Sequence, residues 1–255
     1  MILLIGGTSE SLVVADMLTA QHIPFMLSVT TGYGNTLAHQ HAQTVVETMF
    51  TPETLTTFIK DHHITVIIDA SHPFAQVISQ LAMTIAAQTA VAYVRYERTH
   101  PQLTGDHIVT VTSQAEALAY LAAHDGNVYL STGSKTAADY ATALGVDRLQ
   151  VRVLPTASVL EKLTTAGFSA HQIDALCGPF STELNVALFE RAAAKILVTK
   201  NSGDRGGMSE KVAAAQQLNL TVLIIEAPTL AYPASVADVA ALTDFLKGEH
   251  AWQDE

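Results

Sequence analysis

Short runs of apolar, mostly β-branched residues recur along this chain. Each run closes on a cluster of glycine, hydroxyl or charged residues and is followed by a longer helix-like stretch. A run that is apolar at every position must be covered on both faces, as a strand inside a helix-flanked parallel sheet is. The pattern predicts strands over Ile2 to Ile5, Ile23 to Val29, Thr44 to Glu47, Thr65 to Asp69 and Val91 to Tyr96. Helices are expected over Ser9 to Gln21, Thr54 to His62 and from Pro73, as a first-turn proline, to about Gln88. The segment from Arg98 to Gly105 carries Pro101 and Gly105, and the alternation restarts after it. The later strands are Ile108 to Val111, Val128 to Ser131, Leu149 to Leu154, Ala175 to Cys177, Ile196 to Thr199 and Thr221 to Ile225. The later helices are Gln114 to Ala123, Thr136 to Leu144, Ser158 to Ala166, Thr182 to Ala194, Met208 to Leu218 and Ser235 to Lys247.

The expected fold is therefore α/β, with two Rossmann-like lobes, mostly parallel sheets and an interlobe cleft. The N-terminal lobe is assigned 1–98 and the C-terminal lobe 99–255. A chain of 255 residues fits two such lobes, and 49% apolar against 15% charged residues supplies ample core. A net charge of −11 argues against nucleic acid or an anionic membrane as a partner. The single cysteine excludes an internal disulfide framework. The apolar start, Met1 to Ile5, is too short for a signal-peptide core, and a cytoplasmic location is expected.

Ligands of open parallel sheets bind beyond the carboxyl ends of the strands. In this chain those ends lead to Gly6-Gly7-Thr8-Ser9-Glu10, Thr30-Thr31-Gly32-Tyr33-Gly34, Asp69-Ala70-Ser71-His72-Pro73-Phe74 and Arg95-Tyr96-Glu97-Arg98. In the second lobe they lead to Thr132-Gly133-Ser134-Lys135, Arg152-Val153-Leu154-Pro155, Gly178-Pro179-Phe180-Ser181 and Thr199-Lys200-Asn201-Ser202-Gly203, the last continuing through Gly207 to Lys211. Gly6-Gly7-Thr8 is similar to a dinucleotide turn, although it lacks the GxGxxG spacing; a tight turn before an ordinary helix reads equally well. Thr132 to Lys135 reads as an anion cradle or as a capped helix with a solvated lysine, and it lacks the first glycine of a Walker A loop. Seven of the 13 basic residues (Arg95, Arg98, Lys135, Arg152, Lys200, Arg205 and Lys211) fall in these loops. An acidic chain that gathers its cations in one cleft suits a ligand with several carboxylates, although exposed loops also collect charge for no further reason.

Other chemistry finds less support. The 11 histidines show no metal-ligand spacing, so no metal is expected. Ser71-His72 and Ser181 with Glu183 sit in no Gly-x-Ser-x-Gly elbow. Cys177 is read as a buried core thiol, and Asp69 as a structural acid at a strand end in preference to a proton carrier.

Taken together and in order, Ile5 to Glu10, Asp69 to Ala75, Arg95 to Arg98, Thr132 to Lys135, Arg152 to Pro155, Gly178 to Ser181 and Thr199 to Gly203 resemble the motifs of precorrin-6A reductases. Thr99 stands where that family commonly has proline, and Ser71 where threonine is frequent. The resemblance implies reduction of one double bond of the (cobalt-)precorrin-6A macrocycle, an anionic tetrapyrrole, to (cobalt-)precorrin-6B by a reduced nicotinamide. The N-terminal lobe would then bind the dinucleotide through Gly6, Gly7, Thr8, Ser9, Glu10, Thr31, Ser71, His72 and Phe74. The C-terminal lobe would bind substrate carboxylates, with Arg95, Ser134, Lys135, Arg152, Ser181, Lys200, Ser202, Gly203, Gly207 and Lys211 as the substrate set. No proton donor is identified; Lys200 and His72 are the candidates. No Lys or Arg precedes Lys60 to meet a 2′-phosphate beyond the second strand, which favours NADH over NADPH. The rival from another class is a non-catalytic two-lobed nucleotide- or anion-binding protein.

Overall fold

The structure is a computed structural model that describes residues 1–97, 103–202 and 207–248. The chain divides into two units, Met1–Thr99 with Thr229–Glu255, and His100–Pro228.

In the first unit the strands are β1 (Ile2–Ile5), β2 (Phe25–Val29), β3 (Val45–Glu47), β4 (Val66–Asp69), β5 (Ala92–Tyr96) and β12 (Ser235–Val236). They form one sheet in the order β12-β5-β4-β1-β2-β3, with every pairing parallel. The helices are α1 (Ser9–Ala20), α2 (Gly32–Ala38), α3 (Pro52–Asp61), α4 (Gln76–Thr89) and α10 (Val239–Gly248). Alternate side chains of a strand point to opposite faces. Ile2 and Leu4 accordingly pack with Val14 and Leu18 of α1 and Leu242 and Leu246 of α10, while Leu3 and Ile5 pack with Leu55 and Ile59 of α3 and Ile85 of α4. Both faces of β1 are covered, which is why its sequence is apolar without alternation.

Three expectations need correction here. The stretch after β2, read as a loop, forms α2: the Thr31 hydroxyl accepts the Gly34 amide at 3.0 Å, and this cap offsets two glycines. Pro73 precedes α4 instead of occupying its first turn; the helix starts at Gln76, after a turn in which the Ala75 amide donates to the His72 carbonyl at 2.7 Å. The second lobe does not run to the C-terminus. Ser235 and Val236, expected in a helix, pair with Arg95 and Tyr96, and the helix begins only at Val239. The physical gain is local: β12 covers the edge of β5, and α10 buries the face that carries Val94 and Tyr96.

In the second unit the strands are β6 (Ile108–Val111), β7 (Asn127–Leu130), β8 (Leu149–Val153), β9 (Ile173–Ala175), β10 (Ala194–Lys200) and β11 (Thr221–Ile225). Its helices are α5 (Gln114–Ala122), α6 (Ser134–Leu144), α7 (Ala157–Thr165), α8 (Thr182–Arg191) and α9 (Met208–Gln217). The sheet order is β6-β11-β10-β7-β8-β9, again parallel throughout. Counted from β7, this repeats the 3-2-1-4-5 order of the first unit, with the earliest strand, β6, on the far edge. The expected strand Ala175 to Cys177 lies two residues earlier, because β9 takes its register from β8 through Arg152 opposite Asp174 and Val153 opposite Ala175. Cys177 falls beyond the strand and is exposed, which corrects its reading as a core thiol. Among the described residues no helix is long and apolar enough to cross a membrane.

Candidate functional site

Each sheet has one topological switch point, where chain leaving adjacent strands departs to opposite sides; doubly wound folds place their ligands there. In the first unit it lies between β1 and β4. Gly6 to Glu10 follows β1 and Ala70 to Phe74 follows β4, so the two expected groups of cofactor-binding residues meet at one sheet position. The Thr8 hydroxyl ties them together by donating to the Ala70 carbonyl at 2.7 Å while accepting the Ser11 amide at 3.1 Å. That cap takes one first-turn amide, and helix geometry gives the amides of Ser9 and Glu10 no acceptor within α1. The Ser9 hydroxyl donates to the Glu10 carboxylate at 3.0 Å.

The two glycines have different reasons to be glycine. A Cβ on Gly6 would lie 2.6 Å from Leu27 Cδ1 and 2.9 Å from Ser11 Oγ, both on buried residues. Gly7 has φ +99° and nothing within 4 Å of a Cβ, so its constraint is the turn itself, which leaves an open cradle at the start of α1. Gly6→Ala is therefore expected to lower stability by about 1–3 kcal/mol through overpacking. Gly7→Ala is also expected to cost stability, through backbone strain at φ +99°, and should weaken dinucleotide affinity more than Gly6→Ala does. Nicotinamide titrations of the two folded variants provide the check; a larger loss of affinity for Gly6→Ala would make Gly6 the ligand contact.

Beneath the loop after β4 lies a buried ion pair. Asp69 and Arg95 are register partners on β4 and β5, 0% and 1% exposed, with Arg95 Nη1 2.9 Å from Asp69 Oδ1. Asp69 also accepts the Ser71 amide at 3.0 Å and the Tyr93 hydroxyl at 2.8 Å. Burial, with the Asp69 charge second, pushes the Tyr93 hydroxyl far above its ordinary value. Arg95 further donates to Ser71 Oγ at 3.2 Å and to Glu97 at 3.3 Å, and it lies 5.4 Å from the centre of the Tyr232 ring. Its burial works against the charge, but Asp69 and then Glu97 more than reverse this, and its pKa is raised. Arg95, expected among the substrate cations, instead balances Asp69 inside the first unit. His72 Nδ1 accepts the Phe74 amide at 3.2 Å, which puts the proton of the neutral ring on Nε2. The Thr31 hydroxyl is held by its own cap.

In the second unit the switch point lies between β7 and β10. Around it the structure brings together Ser134 and Lys135 at the start of α6, Lys200 at the end of β10, Arg152 on β8, and Gly207 and Lys211 at the start of α9. Arg152 is 8% exposed and Lys211 6%. Arg152 Nη1 donates to Asn185 Oδ1 at 2.7 Å, and its guanidinium lies 4.3 Å over the Phe180 ring. Lys211 Nζ donates to the hydroxyl of fully buried Thr199 at 3.3 Å. Neither cation forms an ion pair among the described residues. The nearby buried acid, Asp174, is taken by Arg191, by the Tyr129 hydroxyl at 2.7 Å and by Gln150 at 3.1 Å. Burial lowers the pKa of Arg152; burial and then Lys135 lower that of Lys200; burial and then Arg152 bring Lys211 down to about 8. Ser181 caps α8 by accepting the Leu184 amide at 3.3 Å, and Ser202 follows Asn201, whose side chain donates to Glu226 at 2.8 Å. Gly203, Arg98, Thr99 and Arg205 lie outside the described residues.

Sequence reasoning missed the supports. Asn185 is a polar residue inside a helix with no motif to mark it, and Thr199 is marked only as the first residue of the Thr199 to Gly203 motif, without its role as the partner of Lys211. Asn185 sits one turn after the Ser181 cap and donates back to the Ser181 carbonyl at 2.8 Å, a spacing that was open to inspection.

A doubly wound α/β protein results, with a glycine turn at the switch point of one unit and, in the other, buried cations that form no ion pair among the described residues. The family model for Precorrin-6x reductase CbiJ/CobK matches residues 1–247. A Cobalt-precorrin-6A reductase of Priestia megaterium is 35% identical over 236 residues, covering 91% of this chain and 92% of its own. One from Methanocaldococcus jannaschii is 32% identical over 246 residues, covering 96% and 97%. A solved structure of CobK precorrin-6A reductase superposes with a TM-score of 0.82 at 22% identity, covering 100% of this chain and 99% of that one. The chain belongs to the precorrin-6x reductase family.

Proposed function

We propose that this protein reduces one carbon–carbon double bond of cobalt-precorrin-6A, or of its metal-free counterpart, with hydride from NADH. A bound nicotinamide supplies the hydride. The first unit fits such a group by its own geometry: the Gly7 turn leaves room where a side chain would stand, and the amides of Ser9 and Glu10 offer donors to a pyrophosphate. Glu10 carries a carboxylate and suits a ribose hydroxyl better than a phosphate. Ser71, His72 and Phe74 line the facing loop, and Thr31 follows the second strand.

The second unit binds the macrocycle. Arg152, Lys211, Lys200 and Lys135 meet its carboxylates, with Ser134, Ser181, Ser202 and Gly207 as further polar contacts and Gly203 in the same set. The observation that carries this reading is the pair of buried cations, Arg152 and Lys211, neither of them in an ion pair among the described residues, in a chain of net charge −11. Isolated buried charge is costly, and a ligand carboxylate would relieve the cost. These side chains orient the ring for hydride transfer, and the proton for the neighbouring carbon comes from Lys200, His72 or solvent.

The choice of cofactor rests on residues 30–46, which include no Lys, Arg, Asp or Glu. A site without a base for the 2′-phosphate is expected to favour NADH in kcat/KM by about tenfold or more, as one lost charged contact would. Anaerobic turnover with each nicotinamide checks this, and a preference for NADPH would reverse the assignment.

A further inference from the structure

Lys211 is placed where an ammonium is least comfortable. It lies in the first turns of α9, near the positive end of the helix dipole, and its amide donates to the Gly207 carbonyl at 3.2 Å. Its Nζ has one hydrogen-bond partner among the described residues, the Thr199 hydroxyl at 3.3 Å. An ammonium can donate three. Among the described residues, the neighbouring elements bring little negative charge to bear. Arg152 on β8 repels it, and Glu210 on its own helix attracts it more weakly than burial and Arg152 oppose it. Tyr129 on β7 donates its hydroxyl to Asp174 on β9, whose carboxylate Arg191 of α8 also holds. Glu226, after β11, accepts from Asn201, Lys200 adds a further cation at the end of β10, and Glu183 stands exposed at the start of α8.

We propose that Lys211 and Arg152 form a proton-coupled anion receptor: a carboxylate of the macrocycle entering beside them completes the Lys211 ammonium, so that binding takes up a proton at mildly alkaline pH. This rests on the reading of the second unit as the macrocycle site. The free protein holds Lys211 at about 8, so the ammonium is largely formed near neutrality and largely lost a unit or more above. A carboxylate at the receptor favours the charged form and moves the titration upward. Arg152 keeps its charge throughout this range and supplies the fixed part of the attraction. Affinity for the macrocycle should therefore fall as pH rises through about 8, whereas affinity for the nicotinamide should not follow.

The test is calorimetric titration of the whole protein with cobalt-precorrin-6A, without nicotinamide, in two buffers of different ionisation heat. Wild type should take up about three-quarters of a proton per macrocycle at about pH 8.5 and close to none at about pH 6.5. Lys211→Met should abolish the uptake and bind at least about tenfold more weakly at the lower pH. Lys211→Arg should bind without uptake at either pH, because a guanidinium does not titrate there. Binding by wild type with no uptake, or with the same uptake as Lys211→Met, would overturn the proposal and leave the macrocycle reading standing. Absence of binding at both pH values would remove the reading as well.

Discussion

Asp69→Ala is expected to lower the stability of the protein by about 3–5 kcal/mol, because it strands the Arg95 guanidinium inside the first unit. Few single changes in this chain should do more. For a protein of this size the corresponding fall in melting temperature is about 10 °C. The loss has parts that can be separated. Asp69→Asn removes the charge but keeps one oxygen to accept the Ser71 amide, with its NH2 placed to donate to the Tyr93 hydroxyl oxygen, so it should fall between wild type and Asp69→Ala. Asp69→Ala combined with Arg95→Met removes both charges and should recover much of the stability, since the principal cost is a buried charge without its partner. A melting temperature within about 2 °C of wild type for Asp69→Ala would contradict this view of the network. The consequence for function is indirect. Asp69 and Arg95 hold Ser71 at the start of the loop that carries His72 and Phe74, so nicotinamide affinity should weaken even where the variant remains folded.

Lys211→Met is expected to act in the opposite direction on stability. The folded value of about 8 lies below the ordinary 10.5 of an unfolded lysine. Below pH 8 the ammonium is charged in both states, and the full penalty of its burial falls on the folded one. Between 8 and 10.5 the folded protein sheds the proton while the unfolded chain keeps it, and the penalty fades. Removing the charge should thus stabilise the unliganded protein at neutral pH by about 2 kcal/mol, after allowing for the lost hydrogen bond to Thr199. The gain should vanish as the pH approaches that of free lysine. Thermal melts at about pH 7 and about pH 10 provide the check; a variant that is less stable than wild type at neutrality would show that Lys211 supports the fold. A stabilising substitution that impairs binding is the behaviour of a group retained for its ligand.

Much of this arrangement could be read from the chain because burial on two faces leaves a local mark. β1, β4 and β11 are apolar at nearly every position, and their ends were placed within a residue or two. The loops at both switch points were found for a related reason: only the ends of such strands tolerate glycine, hydroxyl and charge together. What escaped depends on distant partners. The two residues of β12 carry no strand signal, and they extend only because β5 offers an edge. Cys177 sits in an apolar run, but the register set by β8 stops the strand at Ala175. Arg95 looked like its fellow cations in the loops. Only the alignment of β4 with β5 reveals that Asp69 neutralises it, whereas Arg152 and Lys211 form no such pair among the described residues.

The central proposal is that the cations of the second unit bind the anionic ring that this protein reduces with a nicotinamide. It is tested most directly by following nicotinamide absorbance and product mass together, anaerobically, with cobalt-precorrin-6A, in wild type and in Arg152→Ala. Wild type should oxidise one nicotinamide for each macrocycle that gains two hydrogens, and Arg152→Ala should raise KM for the macrocycle by about a hundredfold while leaving that for the nicotinamide nearly unchanged. Tight macrocycle binding without loss of nicotinamide absorbance, or an Arg152→Ala variant with wild-type KM, would contradict it.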